Sequence, residues 1–397
     1  MSEIRVTNIL GENGNSPVNF TKGINMSGIV TATAFIPSQG QLSHRNIIIN
    51  GAMNVAQRAS SSTANGYGDL DRWKHEYVGT NENPTFAQAS LTTSDTPYTL
   101  GLTKTYKLTN GNQTSGLQAS SQINFNQQIE AQDIRNSGWD YKNPNSYITL
   151  SFWVRSSVSQ NFNGFVKTAD GSMYIYPYET GTLSANTWTK ITKSIPGNSN
   201  LQIDDDNGSG FQVFPIAIYG TNMTNNSVTY NQWAGWSSGG RSKDQANSWF
   251  TTNDATLEIT GVQLEVGPEA TPFEHRSFGE EKRLCMRYYQ QYINLQISGG
   301  YVPGTSNKAN QVTFTFPVEF RANPTASITT TGSSAGQYIY DGSGYANITA
   351  LDSAGILSTT CHMNFSLNGD LTNTRSVTLG GSTNTANQTT FKFTAEL

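Results

Sequence analysis

DATLEITGVQLEVG, running from Asp254 to Gly267, is the stretch from which the rest of the chain has to be read. Leu257 and Ile259 share one strand parity, whereas Val262, Leu264 and Val266 fall on the other, so the alternation slips at Gly261. A β-bulge there would return both sets to one buried face. Gly267 and Pro268 stop the strand, and an irregular link from Thr271 to Arg276 follows. Glu280 and Glu281 then open a short helix, with Leu284, Tyr288 and Tyr292 at i, i+4 and i+8 and with acidic residues suited to the dipole of its first turn. The stretch therefore reads as the last strand of one β-domain, a tether, and a linker helix over 279–294 that acts as a hinge before a second β-domain.

The chain has 397 residues, enough for two or three domains with real cores. Only 13% of residues are charged, and Ser, Thr, Asn, Gln and Gly take their place, as suits β-structure with neutral polar faces and many turns. With 11% aromatic residues such a chain is expected to fold rather than stay disordered. A formal charge of −4 carries no basic excess, which argues against nucleic acid as a partner. No stretch approaches a membrane span, and MSEIRVTNIL lacks the layout of a signal peptide. Cys285 and Cys361 fall in different predicted elements and in no CxxC pattern, so two free thiols are the simplest expectation, with a disulfide the alternative.

From Val18 the apolar residues Val18, Phe20, Ile24, Met26 and Val30 recur on even positions, a strand pattern that buries too little surface to fold alone. Residues 1–41 are thus expected to be an extended arm that borrows a partner, from identical copies around a three-fold axis or from a socket on another protein; a tail that never orders is the alternative. Residues 42–278 carry many short strand patterns separated by Gly, Asn, Pro and Ser clusters. They include a strand begun by Leu70-Asp71-Arg72-Trp73, Tyr106 to Leu108, Gly116 to Phe125, Tyr147 to Arg155, Thr187 to Ile191 and Phe211 to Tyr219. With so little helix, this argues an all-β fold whose central unit is a jelly-roll sandwich. Residues 295–397 read as a C-terminal β-sandwich. Val312, Phe314, Phe316, Val318 and Phe320 fall on one parity, with Pro317 demoting that strand to an edge or a bulge.

The segment GVQLEVGPEATPFEHRSFGEEKRLCMRYYQ, Gly261 to Gln290, closely resembles one that recurs in fibre proteins of tailed bacteriophages, especially those infecting cyanobacteria and other marine bacteria. HRNIIINGAMNVAQRASSS (His44 to Ser62), DLDRW (Asp69 to Trp73) and SFWVRSS (Ser151 to Ser157) are similar to further segments of that family. The likeness covers the middle of the chain well, the first forty residues in general style and the last hundred hardly at all. It implies a homotrimeric virion fibre, made in host cytoplasm, with its N-terminal arm docked on another virion structural protein. It also implies a jelly roll of the carbohydrate-binding-module type and adhesion to a bacterial surface glycan or protein. A capsid- or tail-decorating protein without its own receptor is the structural alternative, and a surface-polysaccharide hydrolase the catalytic one.

Motifs for chemistry are sparse. His44, His75, His275 and His362 are scattered, with no zinc spacing. Gly-x-Ser-x-Gly occurs at Gly235 to Gly239 and at Gly332 to Gly336, neither between a strand and a helix as a nucleophile elbow requires. No catalytic residue, metal or cofactor is therefore assigned. Asp204-Asp-Asp-Asn-Gly208 reads as a solvated turn rather than a calcium loop, because no Glu follows at the needed spacing. Sugar binding uses aromatic faces flanked by hydrogen bonders. Candidates are Tyr174, Tyr176 and Tyr178, alternating on one strand face; Trp233, Trp236 and Arg241 around a Gly/Ser-rich loop; and Tyr338, Tyr340 and Tyr345 among turns of the terminal unit. For the first two groups core or subunit packing is the competing reading.

Overall fold

The computed structural model describes residues 43–303, 306–330, 337–342, 344–371, 376–381 and 389–397. The expected arm with Val18, Phe20, Ile24, Met26 and Val30 lies outside the described residues. The first β unit begins with β1 (Ser61–Ser62), β2 (Lys74–Val78), β3 (Thr85–Ser90), β4 (Lys104–Thr109), β5 (Gln122–Glu130) and β6 (Tyr147–Ser156). It continues with β7 (Gln160–Thr168), β8 (Tyr174–Leu183), β9 (Thr189–Pro196), β10 (Ser209–Tyr219), β11 (Ala234–Gly235) and β12 (Thr256–Val266). Three one-turn helices, α1 (Thr96–Thr99), α2 (Ala131–Arg135) and α3 (Ser248–Thr251), interrupt them. Two six-stranded antiparallel sheets result, in the orders β1-β3-β4-β12-β6-β9 and β11-β8-β7-β10-β5-β2, and they face each other as a sandwich.

β12 lies between β4 and β6 in the first sheet. Its register against β6 shifts between Thr260 and Gln263, and Gly261 takes φ +61°, so the bulge sits where the parity slips. Leu257, Ile259, Val262 and Leu264 all enter the core between the sheets, at 1% exposure or less. Opposite them the second sheet supplies Val166, Tyr176, Tyr178, Phe211 and Val213. Two strand expectations shift. Leu70 to Trp73 form a tight turn with Arg72 at φ +72°, so β2 starts at Lys74. The segment before Gln122 closes a turn through Ser121 to Gln118, so β5 starts later than Gly116.

The segments that carry the fibre-protein resemblance converge in space. Asn46 donates from Nδ2 to the Val262 carbonyl (3.1 Å), while its Oδ1 accepts from the Ile48 and Leu264 amides (3.0 Å each). Asn50 donates to the Val55 and Asp71 carbonyls (2.8 and 3.0 Å), and the Asn50 amide donates to Glu281. Arg276 reaches back to the carbonyls of Asn46 and Ile48. These residues form a polar latch that holds the link after β12 against the sandwich, so the expected hinge is clamped.

Helix α4 (Phe278–Met286) is capped by Ser277, whose Oγ accepts the Glu280 amide at 3.2 Å. It ends eight residues short of the expected 294. Tyr288 follows its last turn, and Tyr292 lies on a strand, because β13 (Tyr289–Ile293) pairs with the last strand of the chain instead of continuing the helix. Edge pairing has overridden an i, i+4, i+8 pattern.

The terminal unit contains β14 (Ile297–Tyr301), β15 (Ser306–Thr315), β16 (Thr325–Thr330), β17 (Gln337–Tyr340) and β18 (Tyr345–Ile356). It closes with β19 (Thr360–Leu371), β20 (Ser376–Gly381) and β21 (Thr389–Thr394). The all-β structure is as expected, but the expected C-terminal sandwich is instead a closed barrel, β14-β15-β19-β18-β17-β20, with a three-stranded sheet, β13-β21-β16, beside it. β15 stops before Phe316 because Pro317 has no amide to donate. Cys285 and Cys361 are buried free thiols.

The two units are welded by charge. Glu130, with no exposed side chain, accepts two hydrogen bonds from Arg287 (2.7 Å each) and one from the Tyr288 hydroxyl (2.6 Å). Arg58 bonds Asp71 (3.2 Å) and Glu396 (2.8 Å), and buried Arg72 bonds Glu396 while lying 3.4 Å from the Tyr288 ring centroid. Burial pushes the Asp71 carboxyl up to about 6, outweighing Arg58 and Gln57. Between the unfolded carboxyl pKa of about 4 and that value the native chain holds more protons than the unfolded one, so stability falls as pH rises. Chemical denaturation from pH 4 to 6.5 is expected to reveal a loss of roughly 1–3 kcal/mol from this group, so that the slope is reduced in Asp71→Asn, with Asp133, which burial also raises to about 6, supplying what remains. An equal slope in both proteins would remove Asp71 as its source.

Candidate functional site

The three aromatic groups singled out in the sequence have different fates. Tyr174, Tyr176 and Tyr178 do share one face of β8, and it is the face turned to the other sheet. Tyr178 is fully buried, its hydroxyl donating to the Phe214 and Pro215 carbonyls (3.2 and 3.1 Å). Tyr176 is 3% exposed and packs edge-on against Trp233, centroids 5.4 Å apart. Tyr176 and Tyr178 are core residues and offer no ring face to an external sugar, the packing reading having won. Trp233 wedges against the core with its indole N–H on the Pro196 carbonyl (2.7 Å), lining a cleft of about 310 Å³ with Ile175, Pro177 and Val228. Trp249, a neighbour of this group in sequence, is fully buried in the core between the sheets.

Trp236 and Arg241 take a different position, on the outer face of the second sheet. Alternation sends Phe165 and Lys167 of β7, Phe214, Ala217 and Tyr219 of β10, and Gln122 and Asn124 of β5 to this face. Phe165 stacks on Phe214 with centroids 4.2 Å apart, and Trp236 packs onto this aromatic floor. The ammonium of Lys167 lies 4.4 Å and the guanidinium of Arg241 5.3 Å from the Trp236 ring centroid. Arg241 also covers the Tyr219 ring at 5.0 Å. Burial raises the Tyr219 hydroxyl to about 12, which keeps it protonated and a donor at neutral pH. Sequence reading found Trp236 and Arg241 and missed Lys167, Tyr219 and Asn124. The missing signal was strand pairing, since these residues come from β5, β7 and β10, which are neighbours in space and not in sequence.

The third group stands on the barrel. Ile339, Ala346, Ile348 and Leu379 point into the barrel core, which turns Tyr338, Tyr340, Tyr345 and Thr378 outward. Tyr340 and Tyr345 face each other across the β17–β18 ladder, and Tyr338 meets Tyr345 edge-on at 5.9 Å. Tyr345 is 73% and Tyr340 42% exposed, an uncommon state for residues so apolar, and with Tyr338 and Thr378 they line a depression of about 490 Å³. Asn347 follows Tyr345 on the same outward parity, opposite Tyr338.

Other polar clusters are committed to the fold. His75, Tyr106 and Asp69 form a buried hydrogen-bonded chain with His75 stacked on Phe86 at 4.0 Å, sealed from solvent. In the Asp204 to Gly208 loop, Asp206 Oδ1 accepts the Gly208 amide (2.9 Å), and its carbonyl accepts the Gln132 amide beneath α2, a turn as expected. Gly235 ends β11 and the chain turns at Ser238 and Gly239, with no helix directly after it. Gly332 to Gly336 lies outside the described residues.

No family model matches the chain, and no curated protein matches its sequence. Distant structural similarity exists to the enzymatically active domain of tailspike protein 4 of bacteriophage CBA120, with TM-score 0.30 and 9% identity over 56% of this chain. A second is the family 11 carbohydrate-binding module from Clostridium thermocellum in complex with a β-1,3-1,4-mixed-linked tetrasaccharide, with TM-score 0.24 and 10% identity over 53% of this chain and 98% of that one. A third is the CBM22-1-GH10 part of endo-1,4-β-D-xylanase 10B from the same organism, complexed with xylohexaose, with TM-score 0.25 and 8% identity over 56% of this chain. The chain spans 21% of the tailspike domain's length and 30% of the xylanase's.

Proposed function

We propose that this chain is a non-enzymatic adhesion component of a phage virion appendage, and that it holds a bacterial surface glycan on the outward tyrosines of its terminal barrel. The observation that carries the reading is the depression lined by exposed Tyr340 and Tyr345 with half-buried Tyr338 beside them. Aromatic rings give a sugar's C–H face an apolar surface, and Asn347 and Thr378 beside them offer hydrogen bonds to its hydroxyls. The virion setting and the homotrimeric assembly rest on the resemblance of Gly261 to Gln290 and its companion segments to tailed-phage fibre proteins. Several weak barrel sites on one particle would then give firm overall attachment by multivalency. The latch that clamps the link against the sandwich, with the charged contacts that tie the sandwich to Glu396, suits a part that must transmit pull without bending.

The test is competition. Purified protein is expected to reduce phage adsorption to host cells and to be retained on a glycan array, and the double substitution Tyr340→Ala, Tyr345→Ala is expected to weaken retention about tenfold or more. Both residues are exposed, so circular dichroism should be unchanged. If the wild-type chain neither competes nor is retained while virions carry it, the decorating role replaces this reading. Shortened glycan ends after incubation would instead indicate a hydrolase.

A further inference from the structure

On the outer face of the second sheet two cations share one aromatic ring without an ion-pair partner of their own. Lys167 and Arg241 flank the same Trp236 ring, and neither enters an ion pair among the described residues. The acid nearest in the sheet, Glu76 of β2, is already bonded to Lys74 at 3.0 Å. The first sheet shows what a compensated version looks like. There Arg155 lies 4.7 Å over Trp188 and is matched by Asp95 (2.6 Å) and by both oxygens of Glu258 (3.0 Å each). Like charges gathered on one partly buried aromatic shelf repel each other, and burial together with Arg241 lowers the Lys167 pKa against the opposing pull of Glu76. Such an arrangement is a cost to the free protein that an anion would relieve.

Polar groups around the cations also lack partners. Asn124 is fully buried on this face, opposite Ala217 of β10 and Glu76 of β2, and its Nδ2 donates to nothing. The Arg241 Nε is likewise buried and without a partner among the described residues, while its guanidinium also interacts with the Tyr219 hydroxyl and its Nη1 makes a long contact, 3.4 Å, with Gln122 Oε1. Unmade hydrogen bonds of this kind are uncommon in folded proteins and call for a partner, which a bound water or a ligand group can supply.

We propose that this face is a second saccharide site, specific for an acidic sugar, whose carboxylate is received by Arg241 and Lys167 and whose hydroxyls are received by Gln122, with the buried Asn124 amide and Tyr219 hydroxyl beneath them. A planar guanidinium beside an ammonium matches a carboxylate, and neutral amides match ring hydroxyls better than they match a bare anion. The site draws on the glycan-binding reading only for the class of polymer, and it is separate from the barrel tyrosines in position and in charge.

The experiment is calorimetric titration of the full chain with oligogalacturonate and oligoglucuronate trimers, the matching neutral galactose and glucose trimers, and inorganic phosphate. At least one acidic trimer is expected to bind, its neutral counterpart not, and 0.5 M salt to weaken binding about tenfold or more. Arg241→Gln and, separately, Lys167→Gln are each expected to lower affinity about tenfold or more, whereas Tyr340→Ala, Tyr345→Ala leaves it unchanged. The Lys167 substitution guards against a folding defect in the Arg241 variant, since the Lys167 side chain makes no hydrogen bond that the sheet needs. Equal binding of a neutral trimer, full competition by phosphate at equal concentration, retention of affinity in both variants, or binding of neither acidic trimer would each overturn the proposal. Loss of glycan retention in the tyrosine variant with acidic-trimer binding intact, or the reverse, separates failure of one site from failure of the other.

Discussion

Glu396→Ala is expected to lower the unfolding free energy by about 3–5 kcal/mol, the cost of stranding a buried charge. Arg72 is 1% exposed and cannot turn to solvent. Its other partners include the Gln128 carbonyl and the Tyr288 ring, neither of which carries charge at neutral pH. Arg58 would keep Asp71, so it is stranded less. The loss should fall on the interface between sandwich and barrel, because Arg72 and Arg58 lie beside β2 and β1 whereas Glu396 follows β21. Denaturation of the variant is therefore expected to split into two transitions where the parent has one. A double replacement, Arg72→Met with Glu396→Leu, should recover much of the loss, since removing both members of a buried pair is far cheaper than removing one. A Glu396→Ala protein with an unchanged midpoint would mean that the network contributes alignment and no stability.

How much of this was legible in the sequence depended on range. The bulge at Gly261 could be read because the parity slip and the glycine are adjacent, and strands such as Tyr147 to Arg155 could be read because alternation is local. The same alternation grouped Tyr174, Tyr176 and Tyr178 correctly and gave no means of telling the inner face from the outer, which depends on the partner sheet. For Tyr338, Tyr340 and Tyr345 the surrounding Gly and Ser turns pointed outward, and there Tyr340 and Tyr345 are exposed while Tyr338 is half-buried. The helix overran its end because a period of four in Leu284, Tyr288 and Tyr292 competes with pairing to β21, a strand about a hundred positions later that no local pattern shows. The junction was beyond reach for the same reason: Arg72 to Glu396 spans 324 residues and Asn46 to Leu264 spans 218. The cation shelf is assembled from β5, β7, β10 and the segment after β11, so only its Trp236 and Arg241 could be found from composition.

The other large effect is expected at the bulge itself. Gly261 sits at φ +61°, where a β-branched residue is strained by about 1–2 kcal/mol, and a Cβ there would lie 2.7 Å from Leu102 Cδ1, itself buried. Relief requires Leu102 to leave its pocket beside Trp153 and Phe273, which adds an overpacking cost of about 1–3 kcal/mol. Gly261→Val should therefore lose about 3–5 kcal/mol in denaturation. The chain has an alternative that makes this test sharper. If the introduced valine flattened the bulge, the register would slip by one, and Val262 and Leu264 would turn from the core to the outer face, exposing two side chains now fully buried. The latch blocks that escape: the Val262 amide donates to the Gly51 carbonyl at 3.0 Å, and Asn46 holds the Val262 carbonyl and the Leu264 amide just after Gly261. Gly51→Ala tests the blockade from the opposite side, since its Cβ would fall 2.1 Å from the Val262 carbonyl oxygen, a backbone atom with no rotamer to yield. Both variants should destabilise the sandwich together with the link to the barrel. If Gly261→Val instead kept the parent's stability, β12 would have to hold its core residues without the bulge, and the parity argument from which the fold was first read would fail.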